Sequence, residues 1–159
     1  MESVYLLERG TELSILDIAI IFFVVMEMAN VCILYFAPDS RKGNGVAIFN
    51  HWENSKEDES AHRFAQYMTN WVAGTKLIFI FLLIVVLLTG DEWTKICSIV
   101  VMIVSIASYY WRLHPIIKKC DEKGEITPKG YSKALGFMIA FFLVMFTIAL
   151  VVCLLSSFI

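Results

Sequence analysis

Four long apolar stretches dominate this chain and limit what it can fold into. They run over about residues 14-36, 70-89, 93-112 and 134-158. Each has about the 20 residues that a helix needs to cross the hydrocarbon core of a bilayer. None alternates between apolar and polar residues as a barrel strand does, so helices are the way to satisfy their backbone groups in lipid. The sequence therefore predicts an all-α membrane protein, a four-transmembrane-helix bundle in which residues 1-159 form a single integral membrane domain.

Basic side chains are concentrated in the predicted connections 37-69 and 113-133. The first holds Arg41, Lys42, Lys56 and Arg63, and the other holds Lys118, Lys119, Lys123, Lys129 and Lys133. By contrast, Arg9 alone precedes the first stretch and Lys95 alone lies near the turn at Gly90. Loops rich in lysine and arginine stay in the cytoplasm. We therefore expect both termini outside (N-out/C-out), and the compact connections favour a bacterial inner (cytoplasmic) membrane.

Two helix starts are predicted within these connections. Ser55 precedes an acidic run in a Ser-x-x-Asp capping pattern, and apolar residues then recur at helical spacing up to Val72. Helix two is therefore expected to begin near Lys56 and to extend into the cytoplasm before it enters the bilayer. Thr127 and Pro128 form the second signal, with threonine as N-cap and proline at the first helical position of helix four.

Three polar residues occur deep inside the apolar stretches. Glu27 and Asn30 lie one turn apart in the first stretch, and Lys76 lies in the second. Counting about 1.5 Å per residue from the middle of each stretch places all three at nearly the same depth. Because an unpaired charge in hydrocarbon costs several kcal/mol, Glu27 and Lys76 are expected to form a pair inside the bundle, with Asn30 as a hydrogen-bonding neighbour.

Hydroxyl groups at related depths extend this candidate site. Ser105 and Thr147 are the members we assign to it, as part of an ion- or ligand-binding site. Two interpretations stay open: a polar site used by a proton, ion or small ligand, or a static ion pair that sets helix register, with hydroxyls bonded to their own helices. Asp17 lies nearer the outer end of the first stretch, where we expect the interface to solvate it.

Small residues indicate where helix four packs against another helix. Gly136 and Ala140 are four residues apart, a small-xxx-small spacing that allows close helix contact. The cysteines show neither CxxC spacing nor a cysteine–histidine cluster, so we expect free, buried thiols. They are Cys32, Cys97, Cys120 and Cys153.

Several classes of function find no support in the residues. No nucleophile motif, zinc motif or phosphate-binding loop occurs, so we assign no catalytic residue, no metal site and no cofactor. The histidines, His51, His62 and His114, lie outside the deep part of the apolar stretches, which argues against haem held between helices. A net charge of -2 gives no reason to expect nucleic acid as a partner.

The outline of the chain resembles the membrane-associated proteins of eicosanoid and glutathione metabolism. These are small four-helix chains with both termini outside, a long first cytoplasmic connection and a trimeric assembly. In that family an Arg-Ala-His-x-Asn-like segment at the start of helix two helps to bind glutathione. Here the corresponding segment has the same residue types in a different order. The resemblance implies an alternative cytoplasmic site at His62, Arg63, Gln66 and Asn70.

A second resemblance is to the small multidrug transporters, which also have four helices and a glutamate in helix one. Their connections are short, whereas the first connection here is long. Our first hypothesis is a non-enzymatic transporter or channel, or an accessory subunit of a membrane complex, with a polar site at Glu27 and Lys76. The alternative is a trimeric glutathione- or lipid-processing enzyme. The expected partners are the lipid bilayer and either further copies of this chain or another membrane subunit.

Overall fold

The computed structural model describes residues 13–42 and 45–156, and its regular elements within these ranges are helices. Four stretches of helix are long and apolar enough to cross a membrane, which confirms the all-α class and the number of candidate spans. Arg9 and the predicted end of the last span at Phe158 lie outside the described residues. The elements are α1 (Ile15–Phe36), a 3-10 turn (Val46–Ile48), α2 (Asn50–Ser55), α3 (Glu59–Thr89), α4 (Glu92–Arg112), α5 (His114–Glu122) and α6 (Tyr131–Ser156).

The helices pack around an apolar interior. α1 packs chiefly on α3 and α6, and α4 packs chiefly on α6. The largest cluster of buried side chains is drawn from α1, α3, α4 and α6, and Phe146 and Ile20 at its centre are completely buried. Its members carry no charged group and, apart from the thiol of Cys153, no polar one. The central cluster is thus apolar, and the buried polar side chains of α1 and α3, Asp17, Asn30 and Thr69, are not members of it.

α3 is considerably longer than its neighbour α1. The two helices run in opposite directions, and the contact between Glu27 and Lys76 sets their register. In that register Phe36, the last residue of α1, lies level with Tyr67. Residues 59–66 of α3 therefore extend about 12 Å beyond the end of α1. The prediction that this helix is longer than a span requires is confirmed.

The start of α3 differs from the prediction in its capping residue. Asp58, not Ser55, is the N-cap, and its Oδ1 accepts hydrogen bonds from the backbone N–H groups of Ser60 (2.9 Å) and Ala61 (3.3 Å). The hydroxyl of Ser55 instead donates to the carbonyl of Trp52 and contacts the ring of His62. The prediction was wrong because Ser55 still belongs to the preceding short helix α2, whose last residue it is.

Replacing Asp58 by Ala is expected to lower the free energy of unfolding by about 1 kcal/mol, since the N-terminal N–H groups of α3 lose their acceptor. Replacing it by Asn keeps an acceptor oxygen and should cost much less. Unfolding of the detergent-solubilised protein with increasing SDS measures both. Equal losses for the two variants would show that Asp58 does not act as a cap.

The described parts of the two long connections pack together at one end of the bundle, and we call residues 37–42, 45–58 and 113–130 the loop layer. Backbone hydrogen bonds join them: the N–H of Asn50 donates to the carbonyl of Glu125 (2.9 Å), and that of Thr127 to the carbonyl of Ile48 (2.8 Å). Side-chain bonds of Asn50 to Gly124 and Thr127 reinforce the contact. The lysine-rich connections thus lie at the same end of the molecule.

A polar cluster orders the first part of the loop layer. The Asp39 carboxylate accepts hydrogen bonds from the Lys56 ammonium (2.8 Å) and from the indole N–H of Trp52 (2.7 Å). These two donors hold the pKa of Asp39 below its usual value. The indole of Trp52 is buried and packs against His62. This cluster therefore fixes the connection between α1 and α3 instead of leaving it as an open loop.

The predicted start of helix four at Thr127 and Pro128 was wrong. α6 begins at Tyr131, and the Thr127–Pro128 peptide bond is cis. The acceptor at the start of α6 comes from α5: the carboxylate of Asp121 accepts from the N–H groups of Gly130 (2.8 Å) and Ser132 (2.9 Å) and from the Ser132 hydroxyl (2.6 Å). Gly130 has a φ of 88°, a left-handed conformation that glycine adopts without strain.

Gly136 lies where α6 meets the end of α4 and the start of α5, which confirms its predicted place at a helix contact. Its carbonyl accepts a hydrogen bond from the Tyr110 hydroxyl (2.7 Å). A Cβ at this position would lie 3.5 Å from Cε1 of His114, an ordinary contact distance. There is thus room for a methyl group, and a longer side chain directed the same way would meet the His114 ring.

Replacing Gly136 by Leu is expected to destabilise the protein by about 1–3 kcal/mol, because the added side chain must displace His114. Gly136→Ala is the matched control and should be neutral or stabilising by up to about 1 kcal/mol. Thermal unfolding in detergent compares the two. A leucine variant that melts like the wild type would place this face of α6 against lipid.

Candidate functional site

Glu27 of α1 and Lys76 of α3 form an ion pair, as the depth argument predicted. The Nζ atom of Lys76 lies 2.6 Å from Oε2 of Glu27 and donates a hydrogen bond to it. Glu27 lies about 14 Å along the helix axis from Phe36 and about 18 Å from Ile15. The pair is therefore close to the middle of the apolar span, too far from either end for the charges to reach water by extending along the helix.

The pair lies in the contact between α1 and α3, and it remains partly open to the outside of the bundle. The side chains of Lys76 and Glu27 are 24% and 19% exposed. A shallow depression of about 410 Å³, which we call the α3 groove, lies beside Lys76 and is lined, within the described part of the chain, only by residues of α3. Its other lining residues are Met68, Trp71, Val72, Thr75 and Phe79. Because the main interior is apolar, the charged pair faces the surroundings of the chain and not a central conduit.

The other members of the predicted site are not joined to this pair. Asn30 is buried on α1, but its Oδ1 accepts no hydrogen bond. Ser105 and Thr147 are exposed. The Thr147 hydroxyl donates to the carbonyl of Leu143 in its own helix. Among the described residues no hydrogen bond links any of these three side chains to Glu27 or Lys76, so the observed site is smaller than the predicted one.

A second ion pair was not predicted, because we expected Asp17 to be solvated at the membrane interface. That expectation was wrong: Lys95 of α4 lies 2.6 Å from Asp17 of α1, and the side chains are only 16% and 10% exposed. Asp17 also completes a capping box with Ser14 at the start of α1. A signal was present in the sequence, since both residues lie in the first turns of helices that start at the same end of the bundle.

Three residues of the predicted alternative site, His62, Arg63 and Gln66, lie on the part of α3 that extends beyond α1, and Asn70 lies one turn further, beside the end of α1. Arg63, Gln66 and Asn70 are exposed, and His62 is half-buried. Arg63 pairs with Glu59 in the same helix, and the Gln66 amide contacts the ring of His62 (3.1 Å). The four residues thus form one polar face of a helix.

The cysteines are free thiols, as expected, but they are not all buried. Cys153 is buried and its thiol donates to Glu92 (3.2 Å), whereas Cys32 and Cys97 are exposed. Within the described ranges no three histidine, cysteine or acidic side chains come together as metal ligands. The exposed thiols must therefore be replaced before any single-cysteine labelling of this protein.

Comparison of the chain with protein-family models, with curated proteins and with solved structures found no match in any of the three. The function of the chain must therefore be inferred from the geometry of its own residues.

Proposed function

We propose that this chain is a non-enzymatic membrane protein that works as a subunit of a larger membrane assembly, in which the Glu27–Lys76 pair contacts a transmembrane helix of a neighbouring chain. The observation that supports this is the partial exposure of the pair near the middle of an apolar span. Charged groups facing lipid at that depth are costly. A neighbouring helix that carries polar groups would cover the open side of the pair and remove this cost.

The groove beside Lys76 gives the neighbouring helix a place to pack. Val72 and Phe79 line it above and below Lys76, and both are exposed on the single chain. Apolar side chains of a second helix would fill the groove while a polar side chain meets the ion pair. Hydrogen bonds of this kind between membrane helices strengthen and orient their association.

Site-specific photo-crosslinking in membranes tests the proposal. A photoreactive residue at Val72, next to Lys76, is expected to produce a discrete protein adduct, either a second copy of the chain or another membrane protein. Ile148 of α6 is the matched control, since it is similarly exposed on a different face. Protein adducts at neither position, or at both equally, would contradict a specific helix contact at the pair.

A small transporter or channel is the second form of this proposal. Because the interior of one chain is apolar, a route for an ion or small solute would have to run between chains along the α3 groove. Thr75 lines that groove next to Lys76. In a variant lacking Cys32 and Cys97, a cysteine at position 75 should react with a water-soluble thiol reagent if the groove is hydrated. An unreactive thiol would exclude a water-filled route at this level.

We also propose that the loop layer faces the cytoplasm, with both termini outside. The support is the concentration of lysine and arginine in the two connections, together with their location at one end of the molecule. Cysteines replacing Glu57 and Lys123 should be labelled from the cytoplasmic side, and a cysteine replacing Thr89 from outside. Labelling of position 123 from outside would reverse the orientation.

A further inference from the structure

A pocket of about 370 Å³ lies at the start of α6, away from the Glu27–Lys76 pair. Its lining includes side chains that can donate hydrogen bonds, and they come from α5, from the segment before α6 and from α6 itself. They are His114, Lys118, Lys129, Ser132 and Lys133. The three ammonium groups outnumber the two carboxylates, Asp121 and Glu122, that also line the cavity. The composition of the lining thus favours a negatively charged ligand.

Two carboxylates also line this pocket, and each already has a partner. Asp121 accepts three hydrogen bonds at the start of α6, and the N-terminus of that helix favours its charge. Glu122 lies 3.9 Å from Lys118. Lys129 and Lys133 have no carboxylate within salt-bridge distance among the residues that the structure describes. The charge of Lys129 contributes to lowering the pKa of Asp121, after the hydrogen bonds from Ser132 and Gly130, but Lys129 forms no ion pair with it. The positive charge that remains available to a ligand is therefore carried by Lys133 and in part by Lys129.

The place of the pocket along α6 indicates where the ligand comes from. Lys133 is followed directly by the apolar part of α6, so its ammonium lies at the boundary between the polar end of the molecule and the span. One turn further into the span, Phe137 is 78% exposed on the same face of the helix. A phosphate held by the lysines could therefore continue into an acyl chain that packs against Phe137. A soluble phosphate would leave this apolar surface uncovered.

We propose that this pocket binds the phosphate group of an anionic phospholipid, with Lys129 and Lys133 as the residues that hold it. Lysines at a membrane surface attract anionic headgroups, and a basic pocket between helices makes that attraction specific. The proposal concerns a different end of the molecule from the Glu27–Lys76 pair. It therefore stands or falls independently of the function proposed above.

Lipid binding to the purified full chain in detergent tests the proposal, with native mass spectrometry to count bound phosphatidylglycerol. The double substitution Lys129→Gln and Lys133→Gln is expected to weaken binding by about tenfold or more, given the attraction per lysine at an anionic surface. The matched control is Lys119→Gln with Lys123→Gln. It removes the same charge from the same end of the molecule but does not alter the pocket lining, and it should change affinity less than about threefold.

Equal losses for the two double variants would overturn the proposal, since they would show attraction to overall charge and not to this pocket. Unchanged binding in the Lys129/Lys133 variant would overturn it as well. If that variant does not fold, Lys129→Arg with Lys133→Arg keeps both charges, and loss of lipid from a folded arginine variant counts against the pocket.

Two further binding measurements identify the source of the phosphate. Net-neutral phosphatidylcholine should bind at least about tenfold more weakly, and millimolar inorganic phosphate should not displace the lipid. Equal binding of phosphatidylcholine, or displacement by inorganic phosphate, would overturn the assignment to an anionic lipid.

Discussion

Replacing Glu27 by Gln or Lys76 by Met is expected to lower the free energy of unfolding by about 3 kcal/mol in each case. Each substitution leaves the other charge without a partner in the middle of an apolar span. The distance of 2.6 Å between Nζ and Oε2 makes this the closest charge contact between α1 and α3 among the described residues. SDS-induced unfolding of the detergent-solubilised protein measures both losses.

The double variant is expected to recover most of the loss, because replacing both partners with neutral side chains strands no charge. A double-mutant cycle should therefore give a coupling energy of about 2 kcal/mol or more. Glu27→Gln combined with Lys95→Met is the control, since Lys95 pairs with Asp17 at another level of the bundle, and these losses should add. Additive losses in the Glu27–Lys76 cycle would mean that the pair carries no coupling.

The same variants separate a structural role of the pair from a functional one. If the pair only sets the register of α1 and α3, the folded double variant should keep its crosslinks at Val72 and any transport activity. If the pair contacts a neighbouring chain, the double variant should fold but lose those crosslinks. A liposome flux assay on the same protein detects the transport form of the proposal, because a stable but inactive double variant is expected in that case.

Replacing Asp121 by Ala is expected to cost about 2–3 kcal/mol, the second largest effect. The carboxylate accepts three hydrogen bonds from Gly130 and Ser132, and both Asp121 and Ser132 are buried. Its loss leaves those donors without an acceptor and separates α5 from the start of α6. Thermal unfolding of the detergent-solubilised protein measures the effect.

Two comparisons make the Asp121 prediction specific. Asp121→Asn keeps one acceptor oxygen and should lose about half as much stability as the alanine variant. Glu122→Ala removes an exposed carboxylate with a long contact to Lys118 and should change stability by less than about 0.5 kcal/mol. A Glu122 variant as unstable as the Asp121 variant would show that general charge, and not the cap of α6, is responsible.

The two largest predictions differ in how far the sequence pointed to them. Glu27 and Lys76 could be matched because neighbouring spans in a short bundle run in opposite directions, so depth follows from counting residues along each helix. The cost of a lone charge in lipid then left few alternatives to their pairing. The same reasoning was sufficient for the four spans and for the length of α3. It also located Gly136, because a small residue inside a span indicates close helix contact.

The position of Asp17 along α1 could be counted from the sequence, but its ion pair with Lys95 was not predicted. Its position near a helix end suggested solvation, and Lys95 was treated only as a charge beside a turn. The pair depends on α1 and α4 being close enough at that end for the side chains to meet. Which helices are neighbours in a four-helix bundle is decided by the packing of their apolar faces, and near-uniform apolar sequences carry little periodic signal of that packing.

The sequence by itself determined the number of helices long enough to span a membrane, the matching positions of Glu27 and Lys76 along their helices, and the concentration of positive charge in two connections. Tertiary structure alone decided how those connections fold. The bonds between Asn50 and Glu125 and between Thr127 and Ile48 join segments far apart in the chain, and Asp121 caps a helix to which it does not belong. The physical reason is that lipid acts on each apolar stretch separately, so spans can be recognised one at a time. Polar connections are instead ordered by specific hydrogen bonds to one another, and those partners are known only when both segments are placed.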